Sequence, residues 1–236
     1  GVSRPLTLDI GHIGIYDALF SDAGLEPEVE AQVFDALQRK SVPDIERLSA
    51  SLPAREAERL ARLVSLHGSP DVLASARAAF PDEPAVMAAL DQLDTVLAGV
   101  QRAFPDVGVY VDLTELRGFR YHTGLVFAVY LEGRGSAVAK GGRYDNIGAV
   151  FGRDRPATGF AIDLKALIDD VQQNETTDAP VIAPQSDDAG LRAAVNALRS
   201  AGRTVIMDVA PGVDLPNAER LVLRNGEWII EGGTSS

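Results

Sequence analysis

The chain has no cysteine, which excludes disulfides and thiolate metal sites and favours a reducing compartment. No apolar run approaches the ~20 residues that a membrane span needs. The opening GVSRPLTLDI lacks the charged-then-apolar order of a secretory signal. Histidine stands only at positions 12, 67 and 122, no two at metal-ligand spacing, and there is no HExxH string. GxSxG, Walker A and GxGxxG are also missing, so nucleophilic hydrolysis and dinucleotide binding have no motif to rest on. Basic charge is scarce. Lys and Arg number 22 against 34 Asp and Glu, and the net charge of −12 argues against an extended nucleic-acid footprint.

What remains is a globular composition. Hydrophobic residues make up 46% of 236 and charged residues 24%, enough for a packed core in one large or two small domains. There is no internal repeat and no low-complexity tract. Leu6–Ile10 alternates as a short strand, Gly11–Gly14 reads as a turn, and residues 15–23 read as a helix closed by Gly24. Apolar residues at helical spacing then recur over 27–40, 44–52, 53–66, 71–80 and 84–104. Gly68 is read as a helix stop, with His67 on the negative end of the helix dipole. Strands are predicted over 108–113 and 122–132, with Gly133-Arg-Gly135 as a turn and 136–139 as the hairpin partner. Gly141-Gly142 is read as a break, followed by a short helix over 144–151, a strand over 157–162 and a helix from 163 to about 173. Strands joined by short turns, with helices set aside, predict an α+β fold with an antiparallel sheet. After the polar stretch 172–179 comes a small α/β unit, with a hairpin over Asn225-Gly226. The boundaries expected are 1–25 and 105–173 for the core, 26–104 for a helical insertion and 180–236 for the C-terminal unit.

The segment from Arg117 to Arg155 is locally basic. Arg117, Arg120, Arg134, Lys140, Arg143, Arg153 and Arg155 stand against Glu132, Asp145 and Asp154. Two readings fit: a solvated sheet edge, or a pocket for an anionic small molecule. Gly141-Gly142 allows close backbone approach. Arg143, Tyr144 and Asp145 offer a forked cation, a ring and a carboxylate, or else a self-paired Arg–Asp turn. His12 and His67 read as structural, whereas His122 lies at the mouth of a strand inside this segment.

The strings Arg117-Gly-Phe-Arg-Tyr-His-Thr-Gly-Leu-Val-Phe127 and Gly141-Gly-Arg-Tyr-Asp145 resemble the two histidine-recognition motifs of histidyl-tRNA synthetases, RGLDYYTGTVFE and GGRYDGL. Thr158-Gly-Phe-Ala-Ile-Asp163 falls where that family has its third class II motif. LTLDIGHIGIYDALFSDAGL and RPATGFAIDL are more similar still to the synthetase paralogues that serve as regulatory subunits of ATP phosphoribosyltransferase. The resemblance covers residues 4–170 well and the tail loosely.

The resemblance implies a class II synthetase-like sheet and a histidine-like pocket formed by Arg117, Tyr121, His122, Arg143 and Tyr144. Arg117 would meet the ligand carboxylate and Tyr144 would line the pocket, while Arg120 and His122 depart from the family's Asp and Tyr. The synthetase string ends GFGIGxER, and its ATP-contacting Arg is Ala166 here, so adenylate formation would lose a large electrostatic contribution. The first two class II motifs are not found, which implies that this sequence lacks the family's N-terminal region. The expectation is a cytoplasmic, non-catalytic regulatory subunit in histidine biosynthesis, with no cofactor and no metal. It would pair as a homodimer within a hetero-oligomer with the short catalytic subunit, take histidine as a ligand, and bind neither nucleic acid nor membrane. The rival readings are a divergent or truncated histidyl-tRNA synthetase and a free-standing amino-acid-binding module.

Overall fold

The computed structural model describes residues 4–116, 118, 121–145, 148, 152, 155–168, 178–208, 215 and 218–232. It divides into two compact units, residues 4–166 and 167–236.

The larger unit is built on a six-stranded sheet. Its strands are β1 (Leu6–His12), β2 (His67–Gly68), β3 (Gly108–Asp112), β4 (Leu125–Leu131), β5 (Ala139–Arg143) and β6 (Thr158–Ile162), in the order β2-β3-β1-β4-β5-β6. Every neighbouring pair is antiparallel except β1 and β3, which run parallel. A parallel pair needs a long crossover. Here it is supplied by the helices α1 (Ile13–Phe20), α2 (Pro27–Gln38), α3 (Val42–Ser49), α4 (Ala54–Leu63), α5 (Val72–Ala79) and α6 (Pro84–Ala103). Proline opens α2, α3 and α6, where a missing N–H costs nothing.

The helices share one core with the sheet. Ile10 and Val111 from the strands, Ile13, Leu19 and Phe20 from α1, Leu37 from α2, Leu60 and Leu63 from α4, and Leu90 and Leu93 from α6 belong to a single buried cluster. Leu90 is fully buried, so Leu90→Ala would cost about 2–5 kcal/mol through lost transfer energy and the cavity left behind. Strand alternation puts the next residues on the other face. Asp9, Ala128 and Lys140 stand in one register row across β1, β4 and β5 on that face.

The smaller unit has strands β7 (Val181–Pro184), β8 (Val205–Asp208), β9 (Glu219–Arg224) and β10 (Glu227–Glu231), with helix α8 (Ala189–Ser200). The order is β10-β9-β7-β8, with β7 parallel to both neighbours. Asn225 and Gly226 have φ of 51° and 87°, the left-handed pair that a two-residue hairpin requires. The core is Val181, Ala183, Leu191, Val195, Val205 and Leu221. Asp188 caps α8 by accepting from the Leu191 amide at 2.7 Å, and it also accepts from Trp228 Nε1 at 2.7 Å.

Several sequence expectations are corrected. Gly11 and His12 continue β1 rather than turning, and α1 begins at Ile13 with the His12 ring as its cap. His67 does not sit at a helix dipole. It pairs with Asp112 in the sheet and places Nδ1 2.7 Å from the Tyr110 hydroxyl. Gly141 and Gly142 do not break the chain. They lie within β5, which starts at Ala139; of the expected hairpin partner 136–139, Ala139 pairs with Val129 and the Val138 amide donates to the Val129 carbonyl at 2.8 Å, and the pairing then runs on through both glycines. Tyr144 and Asp145 are not helical, and most of 146–151 lies outside the described residues. After β6 the described helix is α7 (Leu164–Ile168). Among the described residues, no helix is long and apolar enough to cross a membrane.

Candidate ligand site on the open face of the sheet

The open face gathers charge next to glycine. Gly142 faces the His122 ring so closely that a Cβ there would sit 2.5 Å from His122 Cδ2 and 2.7 Å from the Leu125 carbonyl. A Cβ on Gly159 would collide with the Tyr144 hydroxyl. The glycines of β5 and β6 therefore let two ring side chains lie flat against the strands. His122 and Tyr144 meet edge to face, with ring centroids 6.1 Å apart. The His122 ring is held at 3.1 Å from Nδ1 to the Gly118 carbonyl.

Beside them lies a cavity of about 220 Å³, whose walls include Glu115, Gly118, His122, Ala128, Lys140 and Gly141. A carboxylate and an ammonium thus border the same small space. Gly118 also borders a larger cavity, of about 580 Å³, between α2 and the residues Leu116, Gly118 and Tyr121. Its walls carry the Tyr16, Phe34 and Tyr121 rings and the Glu30 carboxylate.

The five residues singled out from the strings separate accordingly. His122 borders the smaller cavity and meets Tyr144 ring to ring, and Tyr121 is exposed at the larger cavity. Arg143 turns to a third cavity, of about 400 Å³, with Gln92, Thr158 and Phe160. Its Nε donates to both oxygens of Asp145, at 3.0 and 2.8 Å, which is the self-paired turn. Burial alone would raise the Asp145 carboxyl, but the Arg143 guanidinium and the Ala157 amide outweigh it and hold it below the usual range. Arg117 and Arg120 lie outside the described residues. Glu115 and Lys140 were not singled out as site residues from sequence. Their signal is position, because Lys140 directly precedes the second string and Glu115 stands two residues before the first.

His12 underlies the same region. Its Nδ1 accepts from the Gly14 amide at 3.2 Å, so the ring proton sits on Nε2, which donates to Gln92 Oε1 at 3.3 Å. Burial lowers its pKa, the Gln92 hydrogen bond opposes this, and the Arg143 charge adds to the lowering.

The chain has recognisable relatives among known proteins. A family described as histidyl-tRNA synthetase matches residues 1–167. One described as the ATP phosphoribosyltransferase subunit HisZ C-terminal domain matches residues 178–231. The chain is similar to the ATP phosphoribosyltransferase regulatory subunit of Ectopseudomonas mendocina (strain ymp), with 46% identity covering 94% of this chain and 58% of that protein. It is likewise similar to the regulatory subunit of Marinobacter nauticus, with 44% identity covering 96% of this chain and 59% of that one. The chain therefore spans less than two thirds of these relatives. Among solved structures, an ATP phosphoribosyltransferase regulatory subunit/histidyl-tRNA synthetase from Bacillus halodurans C superposes with a TM-score of 0.60 at 26% identity, covering 89% of this chain and 56% of that one. An ATP phosphoribosyl transferase (HisG:HisZ) complex from Thermotoga maritima matches with a TM-score of 0.53 at 25% identity, covering 68% of this chain and 54% of that one.

Proposed function

From the premise that this chain belongs to the histidyl-tRNA synthetase family, we propose that it acts as a non-catalytic regulatory subunit of ATP phosphoribosyltransferase. One observation carries the reading. Residues 178–231 match the HisZ C-terminal domain, on a chain whose first 167 residues match the synthetase. Ala166 supports it. The Ala166 amide donates to Asp163 Oδ1 at 3.1 Å, and its methyl stands where the synthetase string carries the ATP-contacting Arg. In this reading the protein is cytoplasmic, forms a homodimer and binds the short catalytic subunit. The relatives' names and the Thermotoga maritima complex support that partner.

The histidine-like site is part of the same proposal. The residues proposed from the strings are Arg117, Tyr121, His122, Arg143 and Tyr144; of these His122 borders the smaller cavity, where Glu115 and Lys140 join it, while Tyr121 and Arg143 border two others. The smaller cavity, at about 220 Å³, falls below the roughly 300–1,000 Å³ of drug-sized sites and suits a single amino acid. Glu115 complements an α-ammonium, and Lys140 and Arg117 complement a carboxylate. Feedback requires histidine to contact one assembly state more favourably than the other, since equal binding shifts nothing.

The test is turnover of the short catalytic subunit with and without this protein, together with a tRNA-charging assay. Turnover should rise on addition, and charging should be absent. Histidine attached to tRNA by the purified protein would refute the regulatory reading.

A further inference from the structure

Helix α2 ends in a way that calls for glycine but has lysine. The Ser41 amide reaches back to the Ala36 carbonyl at 3.0 Å and the Lys40 amide to the Leu37 carbonyl at 3.0 Å. This is the Schellman arrangement, whose left-handed residue is usually Gly. Here it is Lys40, with φ of 51°. An L-residue with a long side chain is strained there, so the side chain needs a compensating contact.

That contact is Asp112. Lys40 Nζ lies 2.6 Å from Asp112 Oδ2 and 5.7 Å from the Tyr110 ring centroid. The Asp112 side chain is only 6% exposed. Its other oxygen, Oδ1, accepts from the Thr114 amide at 2.9 Å and from the Thr114 hydroxyl at 2.7 Å. The Glu115 amide donates to the Asp112 carbonyl at 3.2 Å. Gly11 admits this turn, since a Cβ there would stand 2.5 Å from the Asp112 carbonyl and 2.8 Å from Glu115 Cβ. The carboxylates of Asp9, Asp112 and Glu115 approach within 4.8 Å of one another, so the Lys40 ammonium also offsets their mutual repulsion.

We propose that Lys40 is a positioning residue: by clamping Asp112 it holds the 112–116 turn and so sets Glu115 in the wall of the smaller cavity. It touches no ligand, for it borders neither that cavity nor the larger one. The link from Lys40 to affinity rests on the ligand-binding reading above, whereas the link from Lys40 to the turn does not.

Lys40→Gly separates the two roles of the residue, because Gly satisfies the helix end and removes the ammonium. The measurements are amide hydrogen exchange on the wild-type protein and on Lys40→Gly, and calorimetric titration with histidine. In Lys40→Gly the Thr114 and Glu115 amides should exchange about tenfold faster while α2 keeps its protection. Histidine affinity should fall about tenfold, and Lys40→Arg, which keeps the cation, should recover most of it. Unchanged exchange at Thr114 and Glu115 overturns the proposal. Faster exchange with unchanged histidine affinity overturns it too, because the turn then does not shape the site. If wild-type protein takes up no histidine, the ligand reading of the cavity fails instead, and exchange alone decides whether Lys40 holds the turn.

Discussion

Acidification is expected to remove stability through His12. Only a neutral ring with a bare Nδ1 can accept from the Gly14 amide and cap α1. His12 is 6% exposed, and burial holds its folded pKa below the usual value. In the unfolded chain the imidazole titrates near 6.5. The unfolded state therefore takes up the proton first as pH falls. The stability from a neutral His12 is complete above about pH 6.5 and is lost progressively below it, toward the lowered folded value. While the folded ring stays neutral, the slope reaches about 1.4 kcal/mol per pH unit. The assay is urea denaturation between about pH 7.5 and 5.5, on wild type and on His12→Asn. Asn supplies a cap acceptor and does not titrate. The two proteins should be similar at the upper end, with wild type falling more steeply toward the lower. Parallel curves for the two proteins would refute the argument.

Two further outcomes follow from close contacts. Gly142→Ala should cost about 1–3 kcal/mol by overpacking and should weaken any ligand bound beside His122. Adding His122→Ala should recover only part of the loss, because the Leu125 carbonyl still stands in the way; full recovery in denaturant titration would contradict the register of β4 and β5. Asp188→Ala removes both the α8 cap and the partner of the Trp228 indole. Trp228 fluorescence should then report unfolding of the smaller unit at lower denaturant, and an unchanged midpoint would show that the cap does not stabilise that unit.

Much of the fold was readable because local signals agreed. The five apolar stripes between residues 27 and 104 became α2 to α6, and Asn225-Gly226 made its hairpin. The misreadings all concern residues whose role is tertiary. Gly11, Gly141 and Gly142 look like turn residues, yet each lies in a strand where another group presses too closely for a Cβ. His67 followed a helical stripe, but its partner Tyr110 comes from a distant strand. At the site, the two strings pointed to His122 and Tyr144, which do meet. Periodicity could not show that Arg143 turns to Asp145, nor that Lys40 reaches Asp112, because both depend on strand register and helix ends.

The position of β1 has a consequence for how the chain must fold. Of the six strands of this sheet it comes first in sequence, and it lies inside the sheet, between β3 and β4. Its partners Gly108–Asp112 and Leu125–Leu131 come only after all six helices of the crossover. At roughly 5–20 residues per second on the ribosome, β1 waits on the order of ten seconds before β3 and β4 exist to pair with it. During that time its apolar residues Leu8 and Ile10 can be sheltered by α1 and α6 side chains, but the ladders with β3 and β4 are not yet formed. Closure of the β1–β3 pair over so long a loop is the step expected to limit folding, and unpaired β1 is the segment most exposed to misassociation before it.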